Sequence, residues 1–314
     1  MQMPTPDAPL RIGTRGSPLA LAQANETRAR LAEAFGLPSE AFTVVVIKTT
    51  GDRIIDRPLK EIGGKGLFTR EIEAALSEGE IDLAVHSMKD MPTLQPEGLI
   101  LDTYLPREDP RDAFVTLAGG RLSELSEGRV VGTSSLRRRA QLLHRRPDLQ
   151  VVEFRGNVQT RMRKLADGVA DATFLAMAGL NRLGDAGIPR SPVAEDDMLP
   201  AVAQGAIGIE RRLDDDRLAR MLAAIHDTAT GQRLAAERAF LATLDGSCET
   251  PIAGLAEFTD AGLRLRGEIL RSDGTECHAG EISGPVADGP ALGERLARDL
   301  LSRADDDFFD WKTP

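Results

Sequence analysis

Residues 130–176 read VVGTSSLRRRAQLLHRRPDLQVVEFRGNVQTRMRKLADGVADATFLA. Three short β-branched or apolar runs, Val130–Gly132, Val151–Arg155 and Ala172–Ala176, alternate with two segments of helical spacing, Leu136–Arg145 and Val158–Ala166. Strands that alternate with helices in this way predict an α/β unit with a largely parallel sheet. The same rhythm extends upstream. Leu10–Thr14 reads as a strand, Ser17 and Pro18 supply an N-cap and a first-turn proline for a helix across Leu19–Phe35, Phe42–Ile47 is β-branched, Leu67–Ser77 is amphipathic, and Ile81–His86 is a buried strand. From Pro251 the pattern changes to Ile252–Phe258, Leu263–Leu270 and Glu276–Ile282, joined by Asp260–Gly262 and Asp273–Gly274 turns and followed by a helix from Ala291. That is the pattern of a smaller α+β domain on an antiparallel sheet. Breaks fall at Pro106–Asp112, Asp185–Pro200 and Ala229–Gly231; the run Ala206–Glu210 has strand character but no sheet that pattern alone assigns to it.

The 314 residues are too many for one ordinary core. No apolar run approaches the roughly 18–20 residues of a membrane span, and the opening MQMPTPDAPLR lacks a signal-peptide stretch, so a soluble, cytoplasmic protein is expected. Two cysteines, Cys248 and Cys277, cannot build a disulfide framework, and four scattered histidines show no metal-ligand spacing, so no metal is expected. The net charge of −10 is unevenly spread. Between Arg129 and Lys164, nine arginines and Lys164 face only Asp148 and Glu153, leaving +8 in that window and −18 elsewhere. A general nucleic-acid coat conflicts with that field, and the few aromatics argue against a stacking platform. A local site for a small polyanion fits it, because the arginine fork binds both oxygens of a carboxylate or phosphate.

Six polar clusters carry the candidate chemistry. Thr14-Arg15-Gly16-Ser17 and Gly132-Thr133-Ser134-Ser135-Leu136-Arg137-Arg138 each follow a strand and open a helix, where a hydroxyl, guanidinium groups and free N–H groups converge on an anion. Arg155-Gly156-Asn157-Val158-Gln159-Thr160-Arg161 repeats the design. Gly63-Gly64-Lys65-Gly66-Leu67-Phe68 is glycine-rich but lacks the spacing of a nucleotide phosphate loop. His86-Ser87-Met88-Lys89-Asp90 ends an apolar strand in a carboxylate that either serves as a catalytic acid or pairs with Lys89 as a turn residue. Gly246-Ser247-Cys248-Glu249-Thr250-Pro251 sets a cysteine in a polar loop, suited to covalent attachment, whereas Cys277 in an alternating strand reads as packing.

Taken together, HSMKD (86–90), GTSSLRR (132–138), RGNVQTR (155–161) and PAVAQGA (200–206) resemble the porphobilinogen deaminase, or hydroxymethylbilane synthase, family through nearly the whole chain. The resemblance implies a transferase of tetrapyrrole and haem biosynthesis. It would deaminate four porphobilinogen molecules and join them head to tail into hydroxymethylbilane, on a dipyrromethane cofactor bound by a thioether to Cys248. Asp90 then falls on the catalytic position and, with Ser135, Arg137, Arg138, Lys89 and Lys65, on cofactor-binding positions. Arg15, Ser17, Arg155, Arg161, Arg182, Gln23, Phe68 and Gln204 fall on substrate-binding ones. Glu61 replaces a common family lysine, with Lys60 displaced by one, and Glu249 places a further acid beside the attachment cysteine.

The implied fold is two periplasmic-binding-protein-like (type II) α/β domains, 1–105 with 201–225 and 106–200, plus a small α+β domain, 226–314, carrying the cysteine loop. The implied protein is a monomer that hands its product to a downstream tetrapyrrole-cyclising enzyme and has no nucleic-acid or membrane partner. A non-catalytic small-anion-binding protein would account for the arginines but not for Cys248. A nucleic-acid-binding module would account for the arginine segment alone and conflicts with the −18 elsewhere.

Overall fold

The computed structural model describes residues 3–53, 68–185, 187–247, 250–305 and 307–308. The chain divides into two compact units, residues 1–108 with 206–231, and residues 109–205 with 232–314.

In the first unit, β1 (Leu10–Thr14), β2 (Phe42–Val46), β3 (Leu83–Ser87), β4 (Leu99–Tyr104) and the late-returning β10 (Ile207–Arg212) form one sheet in the order β2-β1-β3-β10-β4. β1 is parallel to β2 and β3, while β10 runs antiparallel to both β3 and β4. The helices are α1 (Pro18–Phe35), the single turn α2 (Thr50–Arg53), α3 (Arg70–Ser77) and, after β10, α7 (Asp216–Ala223). One core unites Leu10, Ile12, Leu83, Val85, Ile207 and Ile209 with Ala24 and Leu31 of α1; another sets Ile72, Ala75 and Leu76 of α3 against Ala84 and Leu99. Strands buried on both faces need continuous apolar runs, which is why β1 and β3 are legible in the sequence.

In the second unit, β5 (Asp112–Val115), β6 (Val130–Gly132), β7 (Gln150–Val152), β8 (Ala172–Ala176) and β9 (Arg190–Pro192) follow the equivalent order, β7-β6-β8-β5-β9, with β5 antiparallel to its neighbours. The helices α4 (Leu136–Arg145), α5 (Val158–Ala166) and α6 (Met177–Leu183) connect them. Each five-stranded sheet thus has four parallel strands and one reversed strand. The reversed strands, β10 and β5, are the ones that pattern reading left unassigned or placed in a break. A three-stranded antiparallel sheet, β11 (Ile252–Thr259), β12 (Gly262–Leu270) and β13 (Cys277–Gly284), with α9 (Gly289–Arg303), completes the unit. Phe240 of α8 (Thr228–Thr243) lies so close to Gly267 that a Cβ there would approach its ring to 2.5 Å. The fold is the expected pair of α/β sheets with a small α+β part on an antiparallel three-stranded sheet.

Candidate active site

The first unit assembles one set of site residues at the strand ends. Ser17 caps α1 by accepting from the Ala20 N–H at 3.3 Å, and the guanidinium of Arg15 lies over the Phe68 ring, 4.1 Å from its centroid. Gln23 is buried on α1 and accepts from the Ser87 hydroxyl at 2.9 Å, which ties that helix to the end of β3. Beyond Ser87 a 3-10 turn, Met88–Asp90, leads to Asp90. Asp90 is half-buried, and among the described residues it has no hydrogen-bond or ion-pair partner, so the alternative reading of a turn aspartate paired with Lys89 is not what the structure holds. Lys65, like Lys60 and Glu61, lies outside the described residues.

The second unit assembles the arginines. Ser135 caps α4 by accepting from the Arg138 N–H, and the first helical turn then presents Arg137 and Arg138, both buried. Their shared partner is Asp112, at the start of β5 and fully buried. Arg137 reaches one of its oxygens at 2.8 Å and Arg138 the other at 2.7 Å, while the Gln204 amide adds a 3.0 Å hydrogen bond. Burial would raise the Asp112 carboxyl, but the two guanidinium groups outweigh it and hold it well below the usual carboxylate range. Arg161 donates to the carbonyl of Phe174, which also accepts from Arg138, and to that of Gly156. No carboxylate pairs with Arg161 among the described residues. Burial, and then the nearby Arg138, push its guanidinium down to about 10. Arg137, Arg138 and Arg161 therefore outnumber the single buried acid, and the surplus positive charge suits a bound carboxylate.

Backbone detail keeps this cluster in place. Gly132, at the end of β6, sits against Phe154, whose ring a Cβ would meet at 2.3 Å; the Ser134 hydroxyl accepts from the Phe154 N–H. Asn157 caps α5 and the preceding Gly156 has φ of 120°, a left-handed conformation that favours glycine. Arg182 donates to the Gly205 carbonyl at 3.0 Å and Lys164 to that of Arg155 at 3.1 Å. Ala203 is a non-glycine residue at φ of 60°, and its N–H is held by the buried carboxylate of Glu237 at 2.7 Å. Cys248 and Glu249 lie outside the described residues; before them Asp245 has φ of 53°, and on either side Ser247 and Thr250 hydrogen-bond to one another.

The +8 window is not uniformly a ligand surface. Asp171 pairs with Arg129 at 2.9 Å, Glu268 with Arg145 at 2.6 Å and Asp148 with Arg146 at 2.6 Å, so three of its arginines have structural work. Two of these acids, like Asp112, lie outside the window. Sequence reasoning missed Asp112, which it set in a break between domains; the signal available was the apolar Ala113-Phe114-Val115 that follows it.

Comparison with known proteins decides the family. The family model "Porphobilinogen deaminase, dipyromethane cofactor binding domain" matches residues 10–220, and "Porphobilinogen deaminase, C-terminal domain" matches residues 232–302. The chain belongs to the porphobilinogen deaminase family. The porphobilinogen deaminase of Paracoccus denitrificans (strain Pd 1222) is 69% identical over 310 residues, 99% of each chain. Among solved structures, the periplasmic VFT2 domain of Bordetella pertussis BvgS matches at a TM-score of 0.41 and 17% identity, over 73% of this chain and 91% of that one. The probable amino-acid ABC transporter extracellular-binding protein ytmK of Bacillus subtilis matches at 0.42 and 14%, over 73% and 96%.

Family membership makes this chain a hydroxymethylbilane synthase-type transferase. It joins porphobilinogen units into the linear tetrapyrrole of porphyrin and haem biosynthesis, with dipyrromethane as its cofactor. The surplus of guanidinium charge at Arg137, Arg138 and the half-buried Arg161 fits that cofactor, whose pyrroles carry acetate and propionate arms. No group of three or more metal-ligating side chains occurs among the described residues, and none of the described helices is long and apolar enough to cross a membrane.

Proposed function

We propose that Asp90 is the catalytic carboxylate of this reaction. The observation that carries the reading is its half-buried carboxylate, without a hydrogen-bond or ion-pair partner among the described residues, at the end of a strand whose Ser87 hydroxyl and His86 ring are engaged. As ammonia leaves the aminomethyl group of porphobilinogen, positive charge spreads over the methylene carbon and the pyrrole ring. An ionised carboxylate beside the pyrrole N–H lowers the free energy of that charge, and it gains most in a site shielded from water. The same group is placed to manage the proton lost when the new carbon–carbon bond restores the aromatic ring.

Cys248 carries the dipyrromethane thioether, and Ser135, Arg137, Arg138, Lys89 and Lys65 hold the cofactor with Asp90. Bound there, dipyrromethane supplies the pyrrole carbon to which the first substrate unit is joined. Arg15, Ser17, Arg155, Arg161 and Arg182 take the substrate's acetate and propionate groups, with Gln23, Phe68 and Gln204 lining their surroundings. Because Arg138 commits Nε and Nη2 to Asp112 and Nη1 to the Phe174 carbonyl, its contribution is more that of a fixed charge than of an open fork. The domain division that goes with this reading is 1–105 with 201–225, 106–200 and 226–314. The chain works as a cytoplasmic monomer and releases hydroxymethylbilane to a tetrapyrrole-cyclising enzyme.

Intact-mass measurement with turnover tests the assignment. The wild-type protein is expected to exceed its sequence mass by two pyrrole units, and Cys248→Ser to lose both the excess and the activity. Asp90→Ala is expected to keep the added mass and lose turnover; a near-normal rate would remove Asp90 from its role.

A further inference from the structure

The strand that leads to Asp90 carries a buried ionisable pair that the reaction described above leaves unused. His86 lies on β3, four residues before Asp90, and Glu210 lies on β10. The antiparallel register sets Gly208 opposite His86 and Glu210 opposite Ala84, so the two side chains share a face and meet diagonally. His86 Nε2 is 3.1 Å from Glu210 Oε2, with the residues 6% and 0% exposed. The second Glu210 oxygen is buried and has no hydrogen-bond partner among the described residues. Glu73 of α3, with Arg70 beside it, faces the pair; burial, and then Glu210, raise the Glu73 carboxyl. Arg212, the next residue on that face of β10, is held by the Leu76 and Ile81 carbonyls and by Asp82 and Asp215.

Stability does not account for such a pair, because apolar side chains of similar size would fill the space without desolvating a charge. Its position does. Two further contacts join β10 and Ala206, the residue before it, to the turn bearing Asp90. The Met88 N–H donates to the Ala206 carbonyl at 3.0 Å, and Gly208 leaves the space taken by the Met88 side chain, whose sulfur a Cβ would approach to 2.1 Å. The end of β3 is thus gripped by β10 at His86 and at Met88, on both sides of Ser87.

We propose that Glu210 and His86 are positioning residues: the carboxylate on β10 holds the imidazole on β3 and thereby fixes the turn that aims Asp90. The proposal rests on the assignment of Asp90 as the catalytic carboxylate.

The test is steady-state kinetics on the holoenzyme, with rates referred to the cofactor-carrying fraction by intact mass. The double variant His86→Leu/Glu210→Leu removes both charges together and is expected to unfold no lower than wild type. Its kcat is expected to fall tenfold or more, with KM within about twofold; a structural pair would give the wild-type kcat once folded, and that result overturns the proposal. A loss confined to KM overturns it as well. Should the double variant fail to fold, Glu210→Gln decides, because it keeps the size and removes the charge. Its kcat is expected to fall about threefold or more at unchanged KM, and a wild-type kcat overturns the proposal. Asp90→Asn is measured in parallel. If it retains the wild-type rate, the Asp90 assignment fails and this proposal with it; if it is inactive while the double variant is normal, only the pair is refuted. Placed in the Asp90→Asn background, the double variant is expected to cause no further loss of residual rate, and a full additional tenfold loss would show that the pair acts elsewhere.

Discussion

Arg138 donates from Nε and Nη2 to a single oxygen of Asp112, at 3.1 and 2.7 Å, and Arg137 takes the other oxygen. One buried acid therefore orders two buried cations and neutralises one of them. A helix opening would otherwise expose both to mutual repulsion in a low-dielectric setting. The acid allows them to stand side by side with charge to spare for a ligand.

Removing that acid should cost far more than a surface change. Asp112→Ala leaves two guanidinium groups buried without a counter-charge and is expected to lower stability by about 3–5 kcal/mol, read by denaturant unfolding. The folded carboxyl lies below its unfolded value of about 3.9. Its stabilisation is therefore fully present above that pH and is lost as the pH falls toward the folded value. The difference between wild type and Asp112→Asn should accordingly narrow below about pH 4.

Arg161 is the opposite case, a half-buried cation whose hydrogen bonds, among the described residues, go only to carbonyls. Arg161→Met relieves its desolvation and should leave the melting temperature unchanged or slightly higher, while raising KM for porphobilinogen roughly tenfold. Differential scanning calorimetry with steady-state kinetics checks both halves. A lower melting temperature with unchanged KM would make Arg161 structural.

Gly132 has no room for a side chain beside Phe154, which is itself fully buried. Gly132→Ala is expected to destabilise by about 1–3 kcal/mol through overpacking. It should also reduce turnover, because the displaced strand end leads directly to Ser135. Urea unfolding and a rate measurement on the same preparation decide this.

Burial, and then Glu268, push the Cys277 thiol up to about 12. Since the thiolate is the reactive form, Cys277 should resist a thiol reagent at pH 8 in the folded protein and react fully once unfolded. Mass-resolved labelling reports which cysteine has reacted.

Much of the local architecture was legible before any coordinates. Ser17, Ser135 and Asn157 each cap a helix three residues from their partners, so the signal and the interaction occupy the same stretch of chain. β1, β6 and β8 span the ranges expected of them, as do α4 and α5, because a strand buried on both faces or a capped amphipathic helix is written in its own residues. The reversed strands were not. β5 begins inside the segment PREDPRD, which reads as a domain boundary, and β10 falls on a run that pattern alone assigns to no sheet; the edge strand β9 likewise lies inside the second expected break. The expectation of largely parallel sheets also missed their single antiparallel member, since pattern reading reports that a strand exists but not which way its neighbours run.

The residues themselves determined the family resemblance, the helix starts, the concentration of arginine and the candidate acid and cysteine, since each is a matter of residue type and short spacing. Only the tertiary structure decided how the charges are shared. Asp112 meets Arg138 across 26 residues of chain, Glu268 meets Arg145 across 123, and Glu210 meets His86 across 124. Pairing over such separations depends on which strands become neighbours in a sheet, and that is settled by burial of whole faces rather than by any local signal. Two of the arginines that read as one polyanion site, Arg129 and Arg145, are held by acids brought to them in this way, and the surplus left at Arg137, Arg138 and Arg161 is what remains for the ligand.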